Sequence, residues 1–137
     1  MVRYYIDTSI WRDLHENRVD RFRPLGEWAF ELIRRIRINK EKIIYSDLTL
    51  KELNMGFEFI MERIFNSASY PYIIERVEIE EAQIKEAKRL RRELNIPFND
   101  CLHAIIARDN GAIMVTRDNH FQELQGIADI KKPEDLI

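Results

Sequence analysis

The chain has 137 residues, 22 of them basic and 24 acidic, for a formal net charge of −2. This length suits one domain with one core, and 45% hydrophobic with 34% charged residues excludes both a disordered chain and a membrane-embedded one. The near balance of charge argues against a uniformly basic nucleic-acid binder, but local patches stay open because net charge carries no information about distribution. The single cysteine, Cys101, rules out an internal disulfide and a cysteine-based zinc site, and reads as a small core residue. No apolar run approaches the ~18 residues of a membrane span, and the N-terminus lacks the basic-then-apolar shape of a signal peptide. The expectation is a cytoplasmic protein, and the many Ile, Glu, Lys and Arg lean towards a thermophilic source.

In chain order, "RYYI" reads as a first strand. Asp7 or Thr8 then caps a short helix to about Asn17. Pro24 suits the first turn of a helix running to about Asn39, with Leu25, Trp28, Ala29, Leu32, Ile33 and Ile36 on one face. "KIIYS" is a second strand. A third helix starts near Ser46-Asp47 and continues to about Asn66, with Leu50, Leu53, Phe57, Ile60 and Ile64 in a 3.6-residue period. A short strand is expected at Ile73-Ile74. "EIEEAQIKEAKRLRREL" is amphipathic through Ile79, Ala82, Ala87, Leu90 and Leu94, and Pro97 stops it. "NDCLHAIIARDNG" is an apolar helix ended by Gly111, "AIMVT" a buried strand, "DNHFQEL" a helical turn and "IADI" a last strand. Strands alternating with helices predict an α/β fold: one parallel sheet of about four or five short strands, covered by helices, as a single domain over 1–137. In such folds ligands sit outside the carboxyl ends of the strands.

Four acids fall at that edge. Asp7 follows the first strand, and Asp118 lies two residues past "AIMV". Glu52 stands a few residues past the second strand, and Asp100 heads the most apolar helix. Taken alone, Asp7 and Asp100 read equally well as helix caps and Asp118 as a turn residue, while Glu52 reads first as an exposed helix glutamate. Brought within ~5 Å of one another, ionised carboxylates repel by about 3 kcal/mol per pair at an effective dielectric of ~20. Such a grouping does not serve stability. Oxygen-preferring divalent cations, Mg2+ or Mn2+, remove the repulsion and are used to activate water at phosphorus centres.

With these residues in view, "YIDTSIW", "SDLTLKELNMG" and "FNDCLHAIIARDNGAIMVTRDNHFQEL" together resemble a PIN-domain ribonuclease, of the kind found as the VapC-like toxin of toxin–antitoxin pairs. The resemblance spans essentially the whole chain, and its most specific piece is the last. It implies a parallel sheet between helices, binding of magnesium or manganese, and cutting of RNA. It matches Asp7, Glu52, Asp100 and Asp118 to the four acidic positions. Asp7, Asp100 and Asp118 are then the expected metal ligands, with Glu52 completing the site or orienting water. Thr8 or Ser9 matches the hydroxyl after the first acid, and Thr116 the threonine before the last. Their hydroxyls are expected to donate to substrate phosphate or to the acids. His120 departs from the pattern, because many relatives carry a further acid there.

Arg12, one turn past Asp7, is the best cationic candidate for substrate contact. Arg18, Arg21, Arg23, Arg34, Arg35 and Arg37 crowd the first third of the chain. Lys85, Lys88, Arg89, Arg91 and Arg92 crowd one later helix, which reads first as a solvated face with pairs such as Glu81–Lys85, and second as a phosphate-tracking rim. His15, His103 and His120 do not form a metal triad by spacing, and His103 is expected to pack within its helix. A haloacid-dehalogenase phosphatase needs an acid where Ser9 stands, a dinucleotide-binding domain needs a glycine-rich turn, and a receiver domain needs paired acids near strand one; all three are disfavoured. The expected partners are RNA, a protein antitoxin and a second copy of the chain, the last through some of Trp11, Phe22, Trp28, Phe30 and Phe59. The alternative is a PIN-fold RNA-processing nuclease, or an RNA-binding module, that is not a toxin.

Overall fold

Alternating residues of the first strand are buried on opposite sides, and this sets the layering. In β1 (Arg3–Ile6), Tyr5 faces one core with Ile44, Met114 and Ile130, while Tyr4 and Ile6 face another with Ile43 and Val115. The computed structural model describes residues 1–53 and 73–137. Four further strands join β1: β2 (Lys42–Tyr45), β3 (Ile74–Arg76), β4 (Ile113–Val115) and β5 (Asp129–Lys131). They pair in the order β3-β2-β1-β4-β5, all parallel. Tyr5 lies opposite Ile44 on one side and Met114 on the other. The predicted parallel sheet between helices is the observed one.

Two helices cover the Tyr4 face. The first, α1 (Thr8–Glu16), buries Ile10 and Trp11; the second, α2 (Leu25–Ile38), buries Ala29, Leu32, Ile33 and Ile36. Their close approach depends on Gly26, where an added Cβ would lie 2.5 Å from the Asn17 Cα. Asn17 itself ends α1 in the left-handed region, at φ 48°. On the Tyr5 face lie α4 (Glu81–Leu94) and α5 (Phe98–Asp109), with a 3-10 helix, Asn119–Leu124. Gly111 takes φ +62° and turns the chain from α5 into β4, as its place after the apolar helix predicts. A last 3-10 turn, Pro133–Asp135, closes the chain. No helix among the described residues is long and apolar enough to cross a membrane.

Two differences from the sequence pattern have clear causes. First, α4 starts at Glu81, not at the preceding Glu78-Ile79, because the Gln83 side chain accepts from the Glu80 N–H at 2.8 Å and sets the start there. Gln83 then sits buried, donating to Asp109 at 3.0 Å, while Ala82 faces outward. Second, α3 (Asp47–Leu53) begins where expected, but its continuation through Phe57, Ile60 and Ile64 falls outside the described residues.

The order of the sheet places the site. From β1 the chain moves to β2 and β3 on one side, and β4 and β5 occupy the other. The reversal opens a crevice at the carboxyl ends of β1 and β4.

Candidate functional site

Asp7 stands in that crevice. Its N–H donates to Val115 O at 2.8 Å, which ties the end of β1 to the end of β4. One carboxylate oxygen, Oδ2, accepts from Ser9 Oγ at 2.7 Å and from Thr116 Oγ1 at 2.9 Å. The other, Oδ1, carries no hydrogen bond among the described residues. Asp7 is therefore both the helix cap the sequence allowed and a buried acid with one oxygen to spare. Thr116 serves two acids, since its Oγ1 also accepts from the Asp118 N–H at 3.1 Å.

Glu52 reaches the same crevice from α3. Its Oε1 accepts from Thr8 Oγ1 at 2.8 Å and lies 2.7 Å from His103 Nε2; its Oε2 accepts from Asn99 at 3.1 Å. Burial pushes this carboxyl up, but the bonds and charge from His103, Thr8 and Asn99 outweigh it and hold the pKa below the usual glutamate value. An ionised Glu52 accepts, so His103 carries a proton on Nε2. Its Nδ1 lies 2.7 Å from Tyr5 OH. Ser46 and Thr49 hydroxyls complete the chain at 2.7 and 3.3 Å from Tyr5 OH. This buried row runs from the sheet centre to Glu52.

Asp100, in the first turn of α5, meets Asp118, the cap of the 3-10 helix. His120 Nδ1 lies 3.0 Å from Asp100 Oδ2 and 3.3 Å from Asp118 Oδ1. Burial first, and the nearby Asp118 charge second, push the Asp100 carboxyl up to about 6. Asp100 Oδ1 and Asp118 Oδ2 carry no hydrogen bond among the described residues.

All four acids line one pocket of about 340 Å³, together with Thr8, Ser9, Arg12 and Arg18. Ligand atoms of Asp7, Glu52 and His103 lie within 4.8 Å of one another, as do those of Asp100, Asp118 and His120. The PIN domain family model matches residues 4–127. The chain belongs to the PIN domain family.

Solved structures of similar fold include a toxin–antitoxin complex from Klebsiella pneumoniae, with a TM-score of 0.64 at 17% identity, covering 95% of this chain and 97% of that one. VapBC2 from Rickettsia felis, bound to a DNA fragment from the promoter, also scores 0.64 at 17% identity, covering 96% and 98%. FitAcB from Neisseria gonorrhoeae scores 0.61 at 14% identity, covering 97% and 99%. No curated protein sequence matches the chain.

In this PIN domain the donor set fits a hard divalent cation. Its carboxylates line one pocket and fall into two sets, Asp7 and Glu52 with His103, and Asp100 and Asp118 with His120, and carboxylate oxygen is the ligand type Mg2+ and Mn2+ prefer. Of the two uses expected of the hydroxyls, the structure shows the second: Thr8 donates to Glu52, and Ser9 and Thr116 donate to Asp7, so they hold the acids. Arg12 lines the pocket and donates to Glu52 O at 2.6 Å. Arg18 lines it too, but pairs with Glu16 and with the buried Asp13.

Three contributors escaped the sequence reading. His103 is buried as expected, but as a polar link to Glu52 and not as simple packing. Asn99, one residue before Asp100, donates to Glu52. Arg117, between Thr116 and Asp118, donates to both Glu134 oxygens at 2.8 Å, sits 3.5 Å from Asp13 and lies over the Trp28 ring. It anchors the loop that carries the last acid. Of the proposed dimer aromatics, Trp11 is buried, Trp28 is half-buried under Arg117, and Phe22 and Phe30 are exposed; Phe59 falls outside the described residues.

Proposed function

We propose that the chain is a metal-dependent endoribonuclease acting as the toxin of a toxin–antitoxin pair. The observation that carries the chemistry is the convergence of four carboxylates, Asp7, Glu52, Asp100 and Asp118, on one pocket at the carboxyl edge of the sheet. These three residues would hold Mg2+ or Mn2+, which when bound lowers the pKa of a water and offsets charge on the scissile phosphate. Glu52 remains ionised under its three donors and orients the attacking water. Ser9 and Thr116 hold Asp7, and Thr8 holds Glu52, so the acids need no rearrangement before substrate arrives. Water oxygen bonds to phosphorus as the P–O3′ bond breaks, and the leaving 3′ oxygen takes a proton. The products carry a 5′-phosphate and a 3′-hydroxyl.

Support for the toxin role comes from the fold neighbours, whose names record toxin–antitoxin assemblies, and from a match that covers nearly all of each chain. The expected partners are therefore RNA, a small antitoxin that covers the acidic pocket, and a second copy of the chain; the protein is expected to act in the cytoplasm. The test is incubation of a mixed RNA pool with Mn2+ and either wild type or Glu52→Gln, followed by end analysis. Wild type is expected to leave 5′-phosphates and the variant to lose most cutting. Products ending in 2′,3′-cyclic phosphate would contradict attack by water.

A further inference from the structure

The basic face of α4 divides into two sets. Lys85 pairs with Glu81 and Arg89 with Glu93, both one turn apart on the helix. Lys88, Arg91 and Arg92 are exposed and have no ion pair among the described residues. They stand at i, i+3 and i+4, so three like charges share one helical surface, an arrangement that costs helix stability. The three line a concavity of about 670 Å³ with Asn95, Ile96 and Pro97. Its floor is fixed, because Asn95 ends α4 at φ 54° and Ile96 is buried.

The groove and the acidic pocket both reach the start of α5. Pro97 precedes α5, and Asp100 lies in the first turn of the same helix. Between them, Asn99 donates to Glu52. Of the cations at the acidic pocket, Arg18 is paired with Glu16 and Asp13, and Arg12 donates to the Glu52 carbonyl. A polyanion approaching four carboxylates on a chain of net charge −2 needs cations that are not so engaged.

We infer that the groove formed by Lys88, Arg91 and Arg92 binds the phosphate backbone of the RNA strand that enters the acidic pocket. The choice of RNA as the polyanion rests on the nuclease reading above. The groove recognises charge and not base identity, so it contributes affinity and register, and the sequence cut is set elsewhere. It also holds RNA without metal, unlike the acidic pocket.

The test uses the full chain in EDTA and a short fluorescent single-stranded RNA of mixed sequence, with Kd measured across a salt series. Each phosphate neutralised on a single strand adds about 0.7 to the slope of log affinity against log salt. Lys88→Gln/Arg91→Gln/Arg92→Gln is therefore expected to flatten the slope by about 2 and to weaken binding on the order of 100-fold near 0.1 M salt. Lys85→Gln/Arg89→Gln, which removes paired cations of the same helix, is expected to change either quantity far less. Gln is a good helix former, and unchanged thermal melting confirms that both variants fold. An unaltered slope in the triple variant, equal losses in the two variants, or no RNA binding by wild type would overturn the proposal. So would a triple variant that keeps RNA but loses an acidic peptide, which would assign the groove to a protein partner. Cleavage of the same RNA with Mn2+ is scored separately: a wild type that shows the expected binding but never cuts upholds the groove and sinks the nuclease reading. A triple variant that cuts and binds as wild type does the reverse.

Discussion

Replacing Asp100 with Asn should stabilise the metal-free protein at neutral pH. An ordinary aspartate titrates near 3.8, and burial with the neighbouring Asp118 charge raises Asp100 to about 6. The folded state therefore holds this proton more tightly than the unfolded chain, and stability falls as pH rises from about 4 to about 6. The gap corresponds to about 3 kcal/mol at pH 7.5, reduced by solvent screening to about 1–3 kcal/mol. Asn keeps an oxygen that can accept from His120, which lies 3.0 Å from Asp100 Oδ2, and carries no charge. Urea denaturation of both proteins in EDTA, at pH 7.5 and at pH 3.5, reads the difference. Asn is expected to raise the free energy of unfolding at pH 7.5 and to leave it nearly unchanged at pH 3.5, where both side chains are neutral. A variant that is equally or less stable at pH 7.5 would refute the claim that Asp100 is held charged against its surroundings. By the same linkage, Mn2+ affinity should fall as pH drops below about 6, by up to tenfold per pH unit, because the cation must displace the Asp100 proton.

Further outcomes follow from particular contacts. His103→Leu removes the Nε2–H that donates to Glu52 and the Nδ1 contact with Tyr5 OH; a loss of about 2–3 kcal/mol in chemical denaturation is expected, with cleavage reduced. Arg117→Met leaves the buried Asp13 with only Arg18, 3.8 Å away, and strips Glu134 of its pair; about 3 kcal/mol should be lost in the same assay. Gly26→Ala drives a Cβ to 2.5 Å from the Asn17 Cα and 2.8 Å from Asp13 O, so α1 and α2 must separate, and differential scanning calorimetry should show about 1–3 kcal/mol of destabilisation.

The fold was legible because its signals are local. "RYYI" and "AIMV" are apolar on both faces, as a buried parallel strand must be, and Asp7, Pro24 and Gly111 mark element ends by their own chemistry. The four acids were legible as positions: each follows a strand or opens a helix at the carboxyl edge, and the structure brings all four to one pocket. Their supports were less legible because they depend on distant partners. Nothing near His103 in the sequence shows that Tyr5 will meet one ring nitrogen and Glu52 the other, 98 and 51 residues away. Its spacing inside an apolar helix reads as packing, and the one signal against that reading is a polar ring at a fully buried position. Arg117 was hidden for the same reason, since Asp13 and Glu134 come from opposite ends of the chain. The paired and unpaired cations of α4 also look alike in sequence, and separate only when their glutamate neighbours are located.

The most direct test of the central claim is calorimetric titration of Mn2+ into wild type and into Asp7→Asn/Asp118→Asn at pH 7.5. The account predicts saturable binding to wild type and loss of that binding in the double variant. Equal binding to both proteins, or none to wild type, would contradict it and return Asp7 to the role of a helix cap.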